Sequence, residues 1–183
     1  MEIVLKSITS VAQFTAMSEL ESRVWGLSPI PLHQTITASK NGGIALGAYD
    51  GEKLVGFSYG FAGFSAGETY LCSHMMGIDP DYRDKGIGNN LKQQQAEEAR
   101  RLGYRKIRWT YDPLESRNGY LNLSKLGAIC SHYIENCYGE MTDEINRGLP
   151  SDRFNVEWLI DAPHLTSRLE RFSTVILDKK ELL

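Results

Sequence analysis

The sequence predicts a mixed α/β fold in which antiparallel strands come first and a parallel crossover follows. Three apolar segments, at 44–49, 54–64 and 69–78, are separated by short turns, which favours antiparallel pairing between neighbours. A long helical segment at 87–102 then leads to another strand at 107–111, and a strand–helix–strand connection implies parallel pairing. We therefore predict a mixed sheet that is mostly antiparallel.

The flanking segments extend this pattern in both directions. Before the centre, the sequence predicts a strand at 3–8, a helix over 10–25 with Ser10 as its N-cap, and a proline-bearing loop at 26–43. After the centre it predicts a helix at 116–126, strands at 129–138 and 154–160 around a polar loop at 139–152, and a tail with a helix at 163–172 and a strand at 174–177.

The bulk composition is that of a globular domain. A chain of 183 residues with 42% hydrophobic content is expected to form a single domain over residues 1–183. The formal net charge of −3 gives the surface as a whole no attraction to nucleic acid or to an anionic membrane. Three cysteines without CxxC spacing argue against a disulfide framework and a zinc site, and favour a reducing, cytoplasmic location. We expect neither a signal peptide nor a membrane span.

A glycine-containing loop between the third central strand and the long helix is the strongest functional signal. Its residues are Arg83, Asp84, Lys85, Gly86, Ile87 and Gly88, followed by Asn89. The glycines allow positive φ and close approach of a ligand, and backbone N–H groups at a helix N-terminus bind phosphate. Two cationic side chains add positive charge at the rim. The loop therefore predicts a pyrophosphate site.

Two other phosphate-binding motifs do not fit this loop. The third glycine of a dinucleotide fingerprint would fall at Leu91, and the preceding sheet is antiparallel rather than part of a βαβ unit. No Gly-Lys-Ser/Thr follows, which excludes a Walker A loop.

The Arg-x-x-Gly-x-Gly loop after a strand that ends Ile-Asp-Pro-Asp-Tyr resembles the acyl-CoA pyrophosphate loop of the Gcn5-related N-acetyltransferases (GNAT). The order of predicted elements is also similar along most of the chain and weakest after Ile160. The resemblance implies a GNAT-type mixed, mostly antiparallel sheet, with helices on both faces and a splayed pair of parallel central strands. It also implies acetyl-CoA or another acyl-CoA as co-substrate and no metal.

By the same resemblance, several further residues would hold the co-substrate. The main chain of Met76, Gly77 and Ile78 would bind the thioester oxygen and pantetheine. Lys125 stands in a Lys-x-Gly sequence similar to the family's, although Ala128 replaces the usual Phe. Asn118 resembles the asparagine that binds pantetheine amides, and a helix-capping role is the alternative.

His74 is the candidate general base, because an imidazole can accept a proton at neutral pH. Strand periodicity predicts that Tyr70, Cys72, His74, Met76 and Ile78 share one face. A packed, structural histidine is the equally weighted alternative.

The candidate acid for the departing thiolate is less clear. The family's tyrosine position is occupied by Leu123, so Tyr120, one turn earlier, and Tyr138 are the candidates. Each could instead be an ordinary rim or core tyrosine. Trp25, Leu27 and His33 would line the acceptor pocket by resemblance, the alternative being a surface loop anchored by one buried Trp.

The sequence thus predicts an N-acyltransferase that moves an acetyl or other short acyl group, such as succinyl, to a small-molecule amine or amino acid by direct attack. The alternatives are a CoA-binding module with little or no turnover and a protein N-acetyltransferase. No nucleic-acid or membrane partner is expected, and a homodimer is left open.

Overall fold

The computed structural model describes residues 2–140, 148 and 150–162. The predicted tail elements at 163–172 and 174–177 lie outside these residues, as does most of the predicted loop at 139–152. Within the described part, the helices are α1 (Val11–Trp25), α2 (Leu32–Lys40), α3 (Ile87–Arg101) and α4 (Ser116–Gly119). The strands are β1 (Ile3–Ser7), β2 (Ile44–Asp50), β3 (Lys53–Ser65), β4 (Glu68–Ile78), β5 (Lys106–Tyr111), β6 (Ile129–Ile134) and β7 (Arg153–Leu159).

The strands form one mixed sheet in the order β1-β2-β3-β4-β5-β7-β6. Neighbouring strands pair antiparallel except β4 and β5, which are parallel and joined by the crossover helix α3. The antiparallel run followed by a parallel crossover is therefore confirmed, as is the GNAT-type fold class.

The helices cover both faces of the sheet and bury a separate apolar layer on each. On one face, α3 buries Ile87, Leu91 and Ala99 against the central strands, and residues after α4 join the same layer. On the other face, α1 buries Phe14 and Met17 against aromatic side chains of β3. Burial of large apolar side chains on both faces is the main stabilising contribution to such a three-layer arrangement.

The ends of the two long helices follow from local sequence. The Ser10 hydroxyl accepts a hydrogen bond from the Gln13 N–H at 3.2 Å, while the Gln13 carbonyl oxygen accepts one from the Ser10 N–H at 3.0 Å, forming a capping box. This confirms Ser10 as the N-cap. At the other end of α3, Gly103 has φ +88°, the left-handed conformation that ends a helix.

The predicted loop at 26–43 contains a helix, α2, so that prediction was wrong. The segment carries two threonines and a histidine, which are weak helix formers, and it is only nine residues long. Its stability comes from packing, because Leu32, Ile36 and Ala38 lie against the α1-side layer and Thr35 is fully buried.

The segment after β5 also departs from the prediction. The predicted helix at 116–126 has only four α-helical residues and then a π-helical turn over Tyr120–Lys125, in which the Leu126 N–H donates to the Leu121 carbonyl at 2.9 Å. The strand predicted at 129–138 ends at Ile134, because Asn136 adopts a positive φ of 46° in the following turn.

Candidate active site

The glycine loop lies between a short 3₁₀ turn at Pro80–Tyr82 and the first residue of α3. Asp84 and Gly86 both have positive φ, at 61° and 77°, so the chain reverses twice before the helix begins at Ile87. The first N–H groups of an α-helix have no acceptor within the helix, and they point out of its N-terminus. At Gly88 an added Cβ would meet only the Met76 side chain, at 3.4 Å, so a ligand can approach this turn closely.

The cationic side chains of the loop are exposed, and one of them is held in place. The Lys85 ammonium donates to the Asp81 carbonyl at 2.9 Å and lies 4.6 Å from the centre of the Tyr82 ring. Asp84 forms an exposed ion pair with Arg117 at 3.3 Å, linking the loop to α4. Such an exposed pair stabilises the fold little, so its effect is mainly to orient the loop.

Beside the loop, the sheet opens between its two parallel strands. β4 and β5 pair only at Leu71 with Ile107 and at Cys72 with Arg108. Beyond these pairs the strands diverge, although β4 continues to Ile78. This is the splayed pair of parallel strands that the resemblance implied, and it leaves a V-shaped slot whose apex lies at Cys72 and whose wide end faces the loop.

The slot has a volume of about 120 Å³ and is polar as well as aromatic. Its lining comes from β4, α3, β5 and the α4 region: Ser73, His74, Met75, Met76, Lys92, Trp109, Thr110, Tyr111, Asn118 and Asn122. Of the predicted site residues, the structure therefore brings His74, Met76 and Asn118 together here.

A bulge in β4 determines which side chains face which layer. Gly60 of β3 pairs with Ser73 and Tyr59 pairs with Met75, so His74 is the extra residue. The bulge interrupts the alternation: His74 lies against Tyr59 and Phe61 on the α1 side, while Met76 and Ile78 pack into the α3-side layer. The prediction that His74, Met76 and Ile78 share one face was therefore wrong.

Gly77 lies in the same strand end, facing the α1 side. An added Cβ there would be 2.8 Å from the Phe57 ring and 3.0 Å from the Trp25 ring. The glycine thus lets Trp25 approach the strand end, where Trp25 also makes an edge contact with Phe57 at 6.1 Å between ring centres.

His74 sits in an aromatic setting at the slot. Its ring centre is 5.6 Å from that of Phe61 and 6.3 Å from that of Tyr59. Although part of the side chain is exposed, desolvation by these neighbours lowers the pKa of His74 below its usual 6.5. The imidazole is therefore neutral at pH 7 and able to accept a proton.

Lys92, which the sequence analysis did not identify, also lines the slot. It projects from the second turn of α3 and is almost completely buried, with 3% of its surface exposed. Its ammonium donates to the Ser73 hydroxyl at 2.7 Å. The available signal was its spacing, because Lys92 lies four residues before Ala96 and seven before Ala99 on the buried stripe of α3.

The two candidate tyrosines are outside the slot lining. Tyr120 is 57% exposed, with the Lys125 ammonium 5.4 Å from its ring centre, so these two predicted site residues contact each other. Tyr138 is also exposed, but its hydroxyl lies 2.8 Å from the hydroxyl of Thr110, a residue that lines the slot. Instead of either tyrosine, the π-helical turn directs the buried amide of Asn122 into the slot.

The connection between α1 and α2 lies on the α1 side, near the bulge. Leu27 and His33 are exposed, and Trp25 is partly so. The connection is fixed by buried Glu21, whose Oε1 accepts a hydrogen bond from the Ile30 N–H at 2.9 Å. Burial raises the pKa of Glu21, an effect that the bond from Ile30 partly offsets.

Two kinds of site were sought in the described residues without being found. Residues 2–140, 148 and 150–162 contain no group of three or more His, Cys, Asp or Glu side chains arranged to hold a metal ion. Within the same part of the chain, no helix is both long enough and apolar enough to cross a membrane.

The fold, the glycine loop and the open slot together define the class of acyl-CoA-dependent acyltransferases. The sequence profile of the Acetyltransferase (GNAT) family matches residues 12–121, which include both the loop and the slot strands. The chain belongs to the GNAT acetyltransferase family and is an acyl-CoA-dependent N-acyltransferase.

Solved structures with this fold act on different acceptors. The chain is similar to the ribosomal-protein-S18-alanine N-acetyltransferase from Escherichia coli, with a TM-score of 0.68 at 17% identity over 88% of this chain and 96% of that one. It is also similar to aminoglycoside 6'-acetyltransferase type Ii, with a TM-score of 0.68 at 19% identity over 87% and 98%. A third, yncA from Salmonella typhimurium, was solved with its cofactor acetyl-CoA and gives a TM-score of 0.69 at 14% identity over 88% and 96%.

At these identities the likeness concerns the fold alone. No curated protein matches the chain in sequence. The acceptor must therefore be inferred from this chain's own residues.

Proposed function

We propose that this protein transfers an acetyl or other short acyl group from acyl-CoA to the amine of a small molecule or amino acid, by direct attack of the amine on the thioester. The main support is one continuous path, from the Arg83–Gly88 loop along the diverging end of β4 to His74 at the bulge. A pyrophosphate at the loop would direct the pantetheine arm into the slot.

In this proposal the two faces of the sheet have different roles. On the α3 side, the main chain of Met76, Gly77 and Ile78 binds pantetheine and the thioester oxygen, since the β5-facing groups of this segment have no partner strand. Asn118 at the slot wall is positioned to contact the pantetheine amides.

On the α1 side, His74 accepts the proton of the incoming ammonium. A free amine with a pKa near 10 must lose a proton before it attacks, and a neutral imidazole can take it. Trp25 and the Glu21-anchored connection cover part of this side, which favours a small acceptor over an extended peptide.

The test is release of CoA thiol from acetyl-CoA and succinyl-CoA with a panel of amines, amino acids and short peptides with free N-termini. We expect turnover with at least one small amine and weaker turnover with the peptides. Thiol release only with peptides would instead indicate a protein N-acetyltransferase. CoA binding without thiol release for any acceptor would indicate a binding module.

A further inference from the structure

Lys92 occupies the apex of the slot. Its ammonium contacts the two residues that immediately follow the last pairs between the parallel strands: the Ser73 hydroxyl on β4, at 2.7 Å, and the Trp109 ring on β5, at 4.0 Å from the ring centre. The cation therefore lies where the strands begin to separate. A chain that enters from the loop end reaches this point last.

The surroundings of Lys92 do not neutralise its charge with a carboxylate. Among the described residues, no salt bridge includes Lys92. Its other polar contact is the Gln95 carbonyl oxygen at 3.5 Å, on the same helix. The titratable side chains nearest to it are Cys72 and His74 on β4. A buried lysine without a counter-ion is costly to keep charged, so it is unlike a stabilising core residue.

We propose that Lys92 is the general acid that protonates the departing CoA thiolate. This inference rests on the proposed acyl transfer. It supplies the acid for which the sequence offered Tyr120 and Tyr138, neither of which lines the slot.

The step balances without any further reactant. The neutral acceptor amine forms a C–N bond to the thioester carbon, and the C–S bond breaks with its electron pair on sulfur. The Lys92 ammonium gives its proton to that sulfur, forming the CoA thiol. The acceptor nitrogen loses one proton as the amide forms, and through water this proton restores the Lys92 ammonium.

The acidity of Lys92 matches this role. Complete burial lowers the pKa of Lys92 from 10.5 to about 7, although proximity to the Cys72 sulfur acts in the opposite direction. A thiol has a reference pKa of about 8.5, so proton transfer from such an ammonium to a thiolate is downhill. An ordinary lysine would hold its proton too tightly for this transfer.

Lys92→Met tests the proposal, because methionine fills similar apolar space without a charge and is compatible with a buried helix position. The first measurement is independent of any acceptor. Affinities of CoA and desulfo-CoA are compared by calorimetry between pH 6 and 9, and the thiolate absorbance of bound CoA is titrated against the desulfo-CoA complex.

In the unchanged protein, a cation beside the sulfur lowers the pKa of the bound CoA thiol from about 8.5 to below about 7.5. CoA therefore binds more tightly than desulfo-CoA at neutral to mildly alkaline pH. In Lys92→Met we expect the thiol to titrate at its ordinary value and this preference to disappear, with desulfo-CoA affinity unchanged.

The second measurement is the pH dependence of kcat with an active acceptor. Because the acid must be protonated, kcat falls as the pH rises through about 7 in the unchanged protein. Lys92→Met lowers kcat by roughly 10²–10⁴-fold, abolishes this alkaline limb and leaves the KM for acyl-CoA unchanged. Tyr138→Phe, Tyr120→Phe and Cys72→Ser retain the limb.

The outcomes separate this inference from the proposed function. Failure of the folded protein to bind CoA at all would overturn both. CoA binding with the same thiol titration in the unchanged and Lys92→Met proteins would overturn the role of Lys92 alone, as would an unchanged alkaline limb in Lys92→Met. Loss of that limb in Tyr138→Phe would assign the acid to Tyr138.

Discussion

At the scale of single residues, the bulge that isolates His74 from the α3 side also separates the two proton transfers. His74 faces the α1 side, where an acceptor would enter, and Lys92 approaches the same slot from α3. Opposite displacements of their pKa values assign opposite tasks: both are lowered by burial, which makes the imidazole a neutral base and the ammonium an effective acid.

We predict that His74→Ala lowers kcat/KM by roughly 10²–10⁴-fold, as expected for loss of a general base. The activity of the unchanged protein should fall as the pH drops through the pKa of His74, which lies below 6.5, because protonation removes the base. Raising the pH should partly restore the variant, since more of the amine is then neutral.

The matched control is His132→Ala, which removes an exposed histidine on β6 outside the slot. It should leave kcat/KM and its pH profile unchanged, and CoA affinity should be the same in all three proteins. Near-normal kcat/KM for His74→Ala at neutral pH would return His74 to a packing role.

At the scale of elements, the N-terminus of α3 is the part whose function was most readable from sequence. We predict that Gly88→Val sharply reduces CoA affinity while the fold is retained, because a β-branched side chain would occupy the space where phosphate approaches. Gly88→Ala should lie between the two, since its Cβ only touches the Met76 methyl group at 3.4 Å.

Calorimetry with CoA, together with circular dichroism, measures both effects. Unchanged CoA affinity in a folded Gly88→Val protein would show that the loop does not bind the pyrophosphate.

The connection between α1 and α2 gives a second prediction at this scale. Glu21→Ala removes the acceptor that holds the Ile30 N–H, so the cover over the α1 side should loosen. We expect a raised KM for the amine and an unchanged KM for acyl-CoA in steady-state kinetics. Glu19→Ala, which removes an exposed carboxylate from the same helix, serves as the control. Equal effects of Glu21→Ala on both KM values would argue against an acceptor-side role.

The strand pattern and the glycine loop were predictable because their signals are local. Turns, alternation and the helix that follows Gly86 can be read within a few residues. α2 was missed because its stability depends on Leu32 and Ile36 packing against another element. The bulge at His74 was missed because alternation assumes an uninterrupted strand. Lys92 was missed because a single lysine in a polar helix is ordinarily solvated.

At the scale of the whole molecule, the buried cation should affect global stability. The folded protein releases the Lys92 proton near pH 7, whereas an unfolded lysine holds it to about pH 10.4. Between these values the unfolded state binds more protons, so this group makes the free energy of unfolding rise with pH. At or below neutral pH the burial of a charge destabilises the fold.

We therefore predict that Lys92→Met is more stable than the unchanged protein near pH 6.5, by on the order of 3 kcal/mol. The difference should shrink as the pH approaches 10, because the neutral amine is then the ordinary form in both states. Urea unfolding at several pH values measures it, with Lys125→Met, an exposed lysine, as the control. A difference independent of pH would mean that Lys92 titrates normally in the folded state.

The two pairs between β4 and β5 have a mechanical consequence for the sheet. They are the rungs that fasten a four-strand ribbon (β1 to β4) to a three-strand one (β5, β7 and β6). A bound pantetheine would stand in for the missing rungs and bridge the two ribbons. Entry and departure of the co-substrate would then close and reopen a seam in the middle of the sheet, without the movement of a separate lid.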